Sequence, residues 1–320
     1  MPEAVRYSVV VPVFNEEESI ETTYSRLKGV MDSLGESYEL LFVNDGSRDR
    51  SAEIMRDFCR RDRRVKLLDF SRNFGHQIAI SAGMDSASGE AVVVIDADLQ
   101  DPPEVIPLMI EKWKEGYEVV YGRRARRKGE SVFKRWTASL FYRLLRAITS
   151  IEIPVDVGDF RLIDRKVCEA LKALREKNRF VRGLVSWVGF RQTSVEFVRE
   201  KRLAGITKYP LSKMIKFALD GITSFSTKPL KIATYLGFII SGASFIYFVA
   251  ILYQKLFTHS TVPGWASLMA LNLFFNGVIL IILGILGEYI GRIYDETKSR
   301  PLYIVREKVG FESEETSAGN

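Results

Sequence analysis

The sequence predicts an α/β fold with a mostly parallel sheet, followed by a two-helix membrane hairpin. Three observations predict it. Short apolar runs alternate with amphipathic, helix-like segments between residues 7 and 124. Several of those runs end in the same kind of polar cluster. Two long stretches without a single charge then follow, at residues 232–254 and 256–287.

The elements follow in order. YSVVVPVFN (7–15) reads as a strand, and EESIETTYSRLKGVMDSL as the helix after it. YELLFVNDGS (38–47) is a second strand, SAEIMRDFCRR a helix and VKLLDFS (65–71) a third strand. GHQIAISAGMDSA (75–87) is a helix that His76 begins, where its side chain is expected to make a polar contact. EAVVVIDADLQ (90–100) is a fourth strand, PEVIPLMIEKWKEG a helix and YEVVYGRR a fifth strand. Asn15 and Glu16, Asn44 and Asp45, and Asp96 and Asp98 each follow an apolar strand. In open α/β sheets ligands bind beyond the carboxyl ends of the strands, so these clusters should share one site.

The stretches Ile232–Gln254 and Trp265–Gly287 are each long enough, at about 1.5 Å per residue, to cross about 30 Å of hydrocarbon. KLFTHSTVPG between them reads as a tight turn. Lys228 and Lys231 precede the first span, and Arg292, Lys298 and Arg300 follow the second, which puts both ends on the cytoplasmic side. Asn272 and Asn276 could bond to another helix, which would favour a homo-oligomer. The predicted segments are a domain at 1–210, an interfacial helix within it at 133–150, a second interfacial helix at 211–228, the spans within 229–291, and a cytoplasmic tail at 292–320. The first interfacial segment sets Phe133, Trp136, Leu140, Leu144 and Ile148 at helical spacing, with Lys134, Arg135, Arg143 and Arg146 largely elsewhere. On this reading residues 1–227 should fold alone.

Composition narrows the function. The net charge is +6, and the basic residues gather beside the apolar helices, which favours a membrane surface over nucleic acid. Cys59 and Cys168 fit neither a disulfide framework nor a metal spacing, consistent with a reducing cytoplasm. MPEAVRYSVVVPVF lacks the pattern of a signal peptide. Carboxylates crowded at a strand end repel one another unless a cation lies between them. Asp96, Asp98 and the Gln100 amide are hard oxygen donors suited to Mg2+ or Mn2+, which usually share their remaining positions with phosphates and water.

VVVPVFNEE, VNDGSRD and VIDADLQDPPE, in this order, resemble the family 2 glycosyltransferases of the GT-A fold, over roughly residues 6–210. SRNFGHQIAISAGMDSASGEAVVVIDADLQDPPE and KRLAGITKYP, with the paired spans, are similar to the polyprenyl-phosphate glycosyltransferases of the GtrB and dolichyl-phosphate mannose synthase type. The resemblance implies a Rossmann-like catalytic domain and a set of roles. Pro12, Phe14 and Glu16 would line the nucleotide pocket, and Val43 and Asp45 would meet base and ribose. Asp96, Ala97, Asp98 and Gln100 would hold metal and diphosphate, with Arg123 near the sugar phosphate. Arg202 and Lys208 would close over the diphosphate, and Arg135 and Ser139 would receive the lipid phosphate. Phe14 and Thr207 stand where the family often has Tyr and Ser. Asp159, in VDVGDFRLIDR, could orient the acceptor or act as a base, or could belong to a structural salt-bridge loop.

The implied activity is inverting transfer of one sugar from a UDP-sugar, glucose first, to polyprenyl phosphate at the plasma membrane. UDP-N-acetylglucosamine and GDP-mannose are the alternative donors. A processive polysaccharide synthase would carry a Gln-x-x-Arg-Trp-type segment and more spans. An inert membrane scaffold would not need every acidic motif.

Overall fold

The structure, a computed structural model, describes residues 4–124, 157–174, 176–177, 179–199, 226–253, 256–257 and 264–311. These fall into two units. One comprises the described residues up to 199 together with 300–311, and the other comprises 226–299.

The first unit is built on an eight-stranded sheet. Its strands are β1 (Tyr7–Val13), β2 (Tyr38–Asn44), β3 (Val65–Phe70), β4 (Ala91–Val94), β5 (Val119–Arg124), β6 (Val157–Asp164), β7 (Gln192–Phe197) and β8 (Val305–Val309). The spatial order is β7-β5-β6-β4-β1-β2-β3-β8. β1 pairs in parallel with β2 and β4, β2 with β3, and β5 with β7. β6 runs antiparallel to β4 and β5, and β8 antiparallel to β3, so the sheet is mixed. β1 and β2 are buried along their whole length, as continuous apolar runs covered on both faces should be.

Helices α1 (Ile20–Ser33), α2 (Ser51–Arg61) and α4 (Ile106–Lys114) cover one face, where Leu27, Met31, Phe58 and Met109 pack on Tyr7, Val9, Val11 and Phe42. A short 3-10 turn, Pro103–Val105, leads into α4. Helix α3 (His76–Ser86) covers the other face of β1 and β2 and meets α5 (Arg165–Ala173). Gly83 brings α3 close, because a Cβ there would stand 2.2 Å from Val10 Cγ1. Helix α6 (Val181–Trp187) packs beside α5. The fourth strand is shorter than its apolar run suggests. It ends at Val94, and the acids lie in the turn beyond.

The second unit contains α7 (Lys228–Tyr253) and α8 (Trp265–Thr297). Both are long and apolar enough to cross a membrane. Their apolar side chains face outward, with Phe238, Ile239 and Ile246 at least 70% exposed. Asn276 donates to Asn272 Oδ1 at 2.6 Å along the same helix. The segments 133–150 and 211–225 lie outside the described residues.

The tail expected at 292–320 needs correction. Helix α8 runs on to Thr297, and the chain then rejoins the sheet of the first unit as β8, with Leu67 opposite Val309 and Phe70 opposite Val305. The separable unit predicted to end at Thr227 therefore lacks its own edge strand.

Candidate active site

The topology gathers the polar clusters at one edge. β1, β2, β3 and β4 are parallel, and the strand order reverses between β1 and β4, which is where open α/β sheets form their crevice. The register brings in a residue from far along the chain. Val94 of β4 lies opposite Arg161 of antiparallel β6, so Asp159 reaches the level of Asp96.

The first two loops are stitched together. Asn15 has φ 53°, in the left-handed region, and is held by a bond from its N–H to Ser47 Oγ (3.0 Å) and one from Arg48 N–H to its Oδ1 (2.8 Å). Glu16 N–H donates to Ser51 Oγ at 3.0 Å. Pro12 and Val43 are buried in their strands, while Phe14 is 36% exposed. Asp45 is buried and accepts from Phe74 N–H (2.6 Å) and Gly75 N–H (3.0 Å). Burial pushes its carboxyl up, against the lowering effect of those two donors.

The turn after β4 holds the densest acids. Leu99 has φ 54°, a costly conformation for a branched residue, and is kept there by complete burial. Gln100 N–H donates to Asp98 Oδ1 at 3.1 Å, and Thr23 Oγ1 donates to the Ala97 carbonyl at 2.9 Å. Burial pushes Asp96 up to about 6; His76 counters this, and Asp159, Asp98 and Asp101 add to it. Asp96 Oδ1 is buried with no hydrogen-bond partner. A buried carboxylate oxygen that makes no hydrogen bond, with only His76 Nε2 at 3.4 Å and a second carboxylate nearby, fits a hard divalent cation. Among the described residues no three His, Cys, Asp or Glu side chains are grouped to hold a metal. The Gln100 amide oxygen accepts from Arg199.

His76 sits between two acids, its Nε2 3.4 Å from both Asp96 Oδ1 and Asp159 Oδ2. Burial disfavours its charge, but Asp96 and Asp159 prevail and raise it to about 9. Asp159 is gripped by Arg182 through two bonds, 2.9 and 3.0 Å, and accepts from Gln77 Nε2 at 3.2 Å. Burial opposes its ionised form, yet Arg182 and His76 hold it well below the usual carboxylate range. Arg161, buried, donates to the carbonyls of Asp159 and Gly158. Burial lowers it to about 10.

On the basic side the structure describes Arg123, Arg124 and Arg199. Arg123 pairs with Glu196 at 2.9 Å on an exposed surface. Its neighbour Arg124 faces the acid turn, 3.7 Å from Asp101, and Arg199 approaches the same carboxylate at 3.9 Å. Arg135, Ser139, Arg202 and Lys208 lie outside the described residues. The structure thus brings Asp45, Asp96, Asp98, Gln100 and Asp159 together and adds His76, Gln77, Asp101, Arg124, Arg182 and Arg199. For His76 the usable signal was its position after the third strand, where the other parallel strands also end in polar clusters. Arg182 carried none, being an arginine in an apolar helix far along the chain.

Residues 8–172 match the model of glycosyl transferase family 2, and residues 228–293 match that of the GtrB C-terminal hairpin. The chain belongs to glycosyl transferase family 2. This glycosyltransferase is 65% identical to the glycosyltransferase YkcC of Bacillus subtilis (strain 168), over 98% of this chain and 97% of that one. It is 46% identical to the bactoprenol glucosyl transferase of Shigella phage SfII, over 94% of this chain and 98% of that one. Among solved structures, glucosyl-3-phosphoglycerate synthase from Mycobacterium tuberculosis, in complex with Mn2+, UDP and phosphoglyceric acid, covers 68% of this chain and 76% of its own at 21% identity, with a TM-score of 0.47. The mixed sheet with helices on both faces is GT-A-like, and the enzyme carries the acidic turn at its switch point.

Proposed function

We propose that this glycosyltransferase moves one glucose from UDP-glucose to polyprenyl phosphate, with inversion, at the cytoplasmic face of a bacterial plasma membrane. The observation that carries the reading is the likeness to bactoprenol glucosyl transferases along nearly the whole chain, hairpin included.

Asp96 and Asp98, with Gln100, would hold Mg2+ or Mn2+, which when bound offsets charge on the departing diphosphate. Pro12, Phe14, Glu16, Val43 and Asp45 receive the nucleotide, and Ala97 presents the acid turn to it. An oxygen of the lipid phosphate bonds to the anomeric carbon as the bond to the donor's diphosphate breaks, and the electron pair leaves with UDP. Arg202 and Lys208 would meet that charge, as would Arg123 on release from Glu196, and Arg135 and Ser139 would receive the acceptor phosphate. A phosphate monoester is already anionic at neutral pH, so positioning matters more than a strong base. Asp159 suits that role. Its bidentate pair with Arg182 makes it a poor proton acceptor and a rigid post for His76 and Gln77.

Membrane topology follows from the chain path. The first unit leads into α7, and after α8 the chain rejoins the same sheet as β8, which supports both ends of the hairpin lying on one side. The flanking Lys228, Lys231, Arg292 and Lys298 support the cytoplasmic side.

The test uses the full chain, polyprenyl phosphate in detergent, Mn2+ or Mg2+, and labelled UDP-glucose, UDP-N-acetylglucosamine and GDP-mannose. The expected result is EDTA-sensitive transfer of label from UDP-glucose into lipid. Transfer from another donor alone would replace the sugar. Donor binding without transfer to lipid would refute the acceptor.

A further inference from the structure

We infer that the segment following the second apolar helix, residues 300–311, is a positioning element of the donor site, with Tyr303 as its chief residue. The inference rests on the proposed reading of Asp45 as a donor contact.

Two chains of contacts run from this segment into the site. The Tyr303 ring stacks on Phe70, centroids 5.1 Å apart and planes 17° from parallel. Phe70 meets Phe74 edge-on at 5.6 Å. Phe74 N–H donates to the Asp45 carboxylate, and the Asn73 side chain donates to the Asp45 carbonyl at 3.1 Å. The second chain starts at Glu307, whose carboxylate lies 2.9 Å from Arg56. Arg56 reaches buried Asp69 at 2.8 Å, and Asp69 accepts from Asn44 Nδ2 at 2.7 Å. Asn44 adjoins Asp45 and fixes the turn by accepting from Ser47 N–H at 3.1 Å.

The segment also holds the connecting loop directly. Ser71 N–H donates to the Ile304 carbonyl at 3.0 Å, and Arg306 donates to the Ser71 carbonyl at 2.8 Å. Ser71 is thereby fixed on both sides at the start of the loop 71–75, which supplies the donors to Asp45 and then His76 to Asp96. Lys177 holds the other end of the segment through the Arg300 carbonyl. Without β8, β3 would be an open edge and the loop would lose these anchors. Chain that lies beyond the membrane hairpin in sequence therefore sets the geometry of the donor pocket. Tyr303 acts through Phe70 and Phe74.

The experiment uses the full-length protein in detergent. Calorimetric titration with UDP and Mn2+ measures donor-site affinity, and steady-state assays give KM for donor and acceptor separately. Tyr303→Ala should weaken UDP binding about three- to tenfold, the range expected for losing one aromatic pair. Tyr303→Phe keeps the ring and should bind like wild type. Tyr303→Leu keeps bulk without stacking, so it carries the test if the alanine variant fails to fold, and it too should bind more weakly. Acceptor KM and kcat at saturating donor should stay within about twofold, because the chemistry is untouched. Amide exchange at Phe74 and Gly75 should speed up in the Ala variant and not in the Phe variant. Wild-type UDP affinity in both the Ala and Leu variants would overturn the inference alone. So would a fall in kcat at unchanged donor KM, which would mean only a smaller folded fraction. No UDP binding by the wild-type chain would overturn the donor reading and this inference with it.

Discussion

Arg182→Met tests whether the Arg182–Asp159 pair holds the site together. The Asp159 side chain is 7% exposed and Arg182 27%, and they share two bonds of 2.9 and 3.0 Å. Removing one partner of a buried ion pair costs about 3–5 kcal/mol, because the other charge stays uncompensated. Here His76 at 3.4 Å and Arg161 at 3.7 Å remain near Asp159. Arg182 is also partly solvated, so about 2–3 kcal/mol is the expected loss. At about 2–4 °C per kcal/mol for a unit of this size, thermal unfolding of the full chain in detergent should fall by about 5–10 °C. Adding Asp159→Asn removes the stranded charge, so the double variant should recover at least half of that loss. The pH dependence has a definite sign. The folded carboxyl of Asp159 is depressed, so its contribution is complete at neutral pH and is lost as pH falls below about 4, through the folded value. The stability gap between wild type and Asp159→Asn should therefore narrow in acid. Strictly additive single and double variants, or a gap that does not change below pH 4, would refute the reasoning.

Other outcomes follow from the same geometry. Asp98→Asn should preserve thermal unfolding yet lower turnover by about 100-fold or more in the lipid assay, since the acid turn loses one hard donor. Gly83→Ala should destabilise by about 1–3 kcal/mol, because its Cβ would stand 2.2 Å from Val10 Cγ1, and Val10→Ala in the same chain should restore part of the loss in thermal unfolding. A chain cut after Thr227 should be less stable and prone to association through β3, and linking residues 300–311 to it should restore monomer on gel filtration. Burial pushes the Cys59 and Cys168 thiols up to about 11 and 12, so at pH 7.5 both should resist iodoacetamide until the protein is denatured.

The sequence by itself determined the parts whose signal is local. Strands such as YSVVVPV are apolar because both faces are buried, and that run is visible without any partner. The spans are legible because crossing hydrocarbon demands length and lack of charge within one segment. Asp45, Asp96 and Asp98 announced a site because each follows a strand that ends at the same edge. Only the tertiary structure decided which distant residues join them. Asp159 meets Asp96 through the register of an antiparallel strand more than sixty positions later in the chain, and register leaves no mark in residues 157–164 alone. His76 stands between those acids only once that register is set, and Arg182 reaches Asp159 from a helix that reads as ordinary packing. VREKV carries three charges in five residues and reads as a solvated tail. It becomes a strand because β3 offers an unpaired row of backbone donors and acceptors, a property that belongs to the folded sheet and not to either segment.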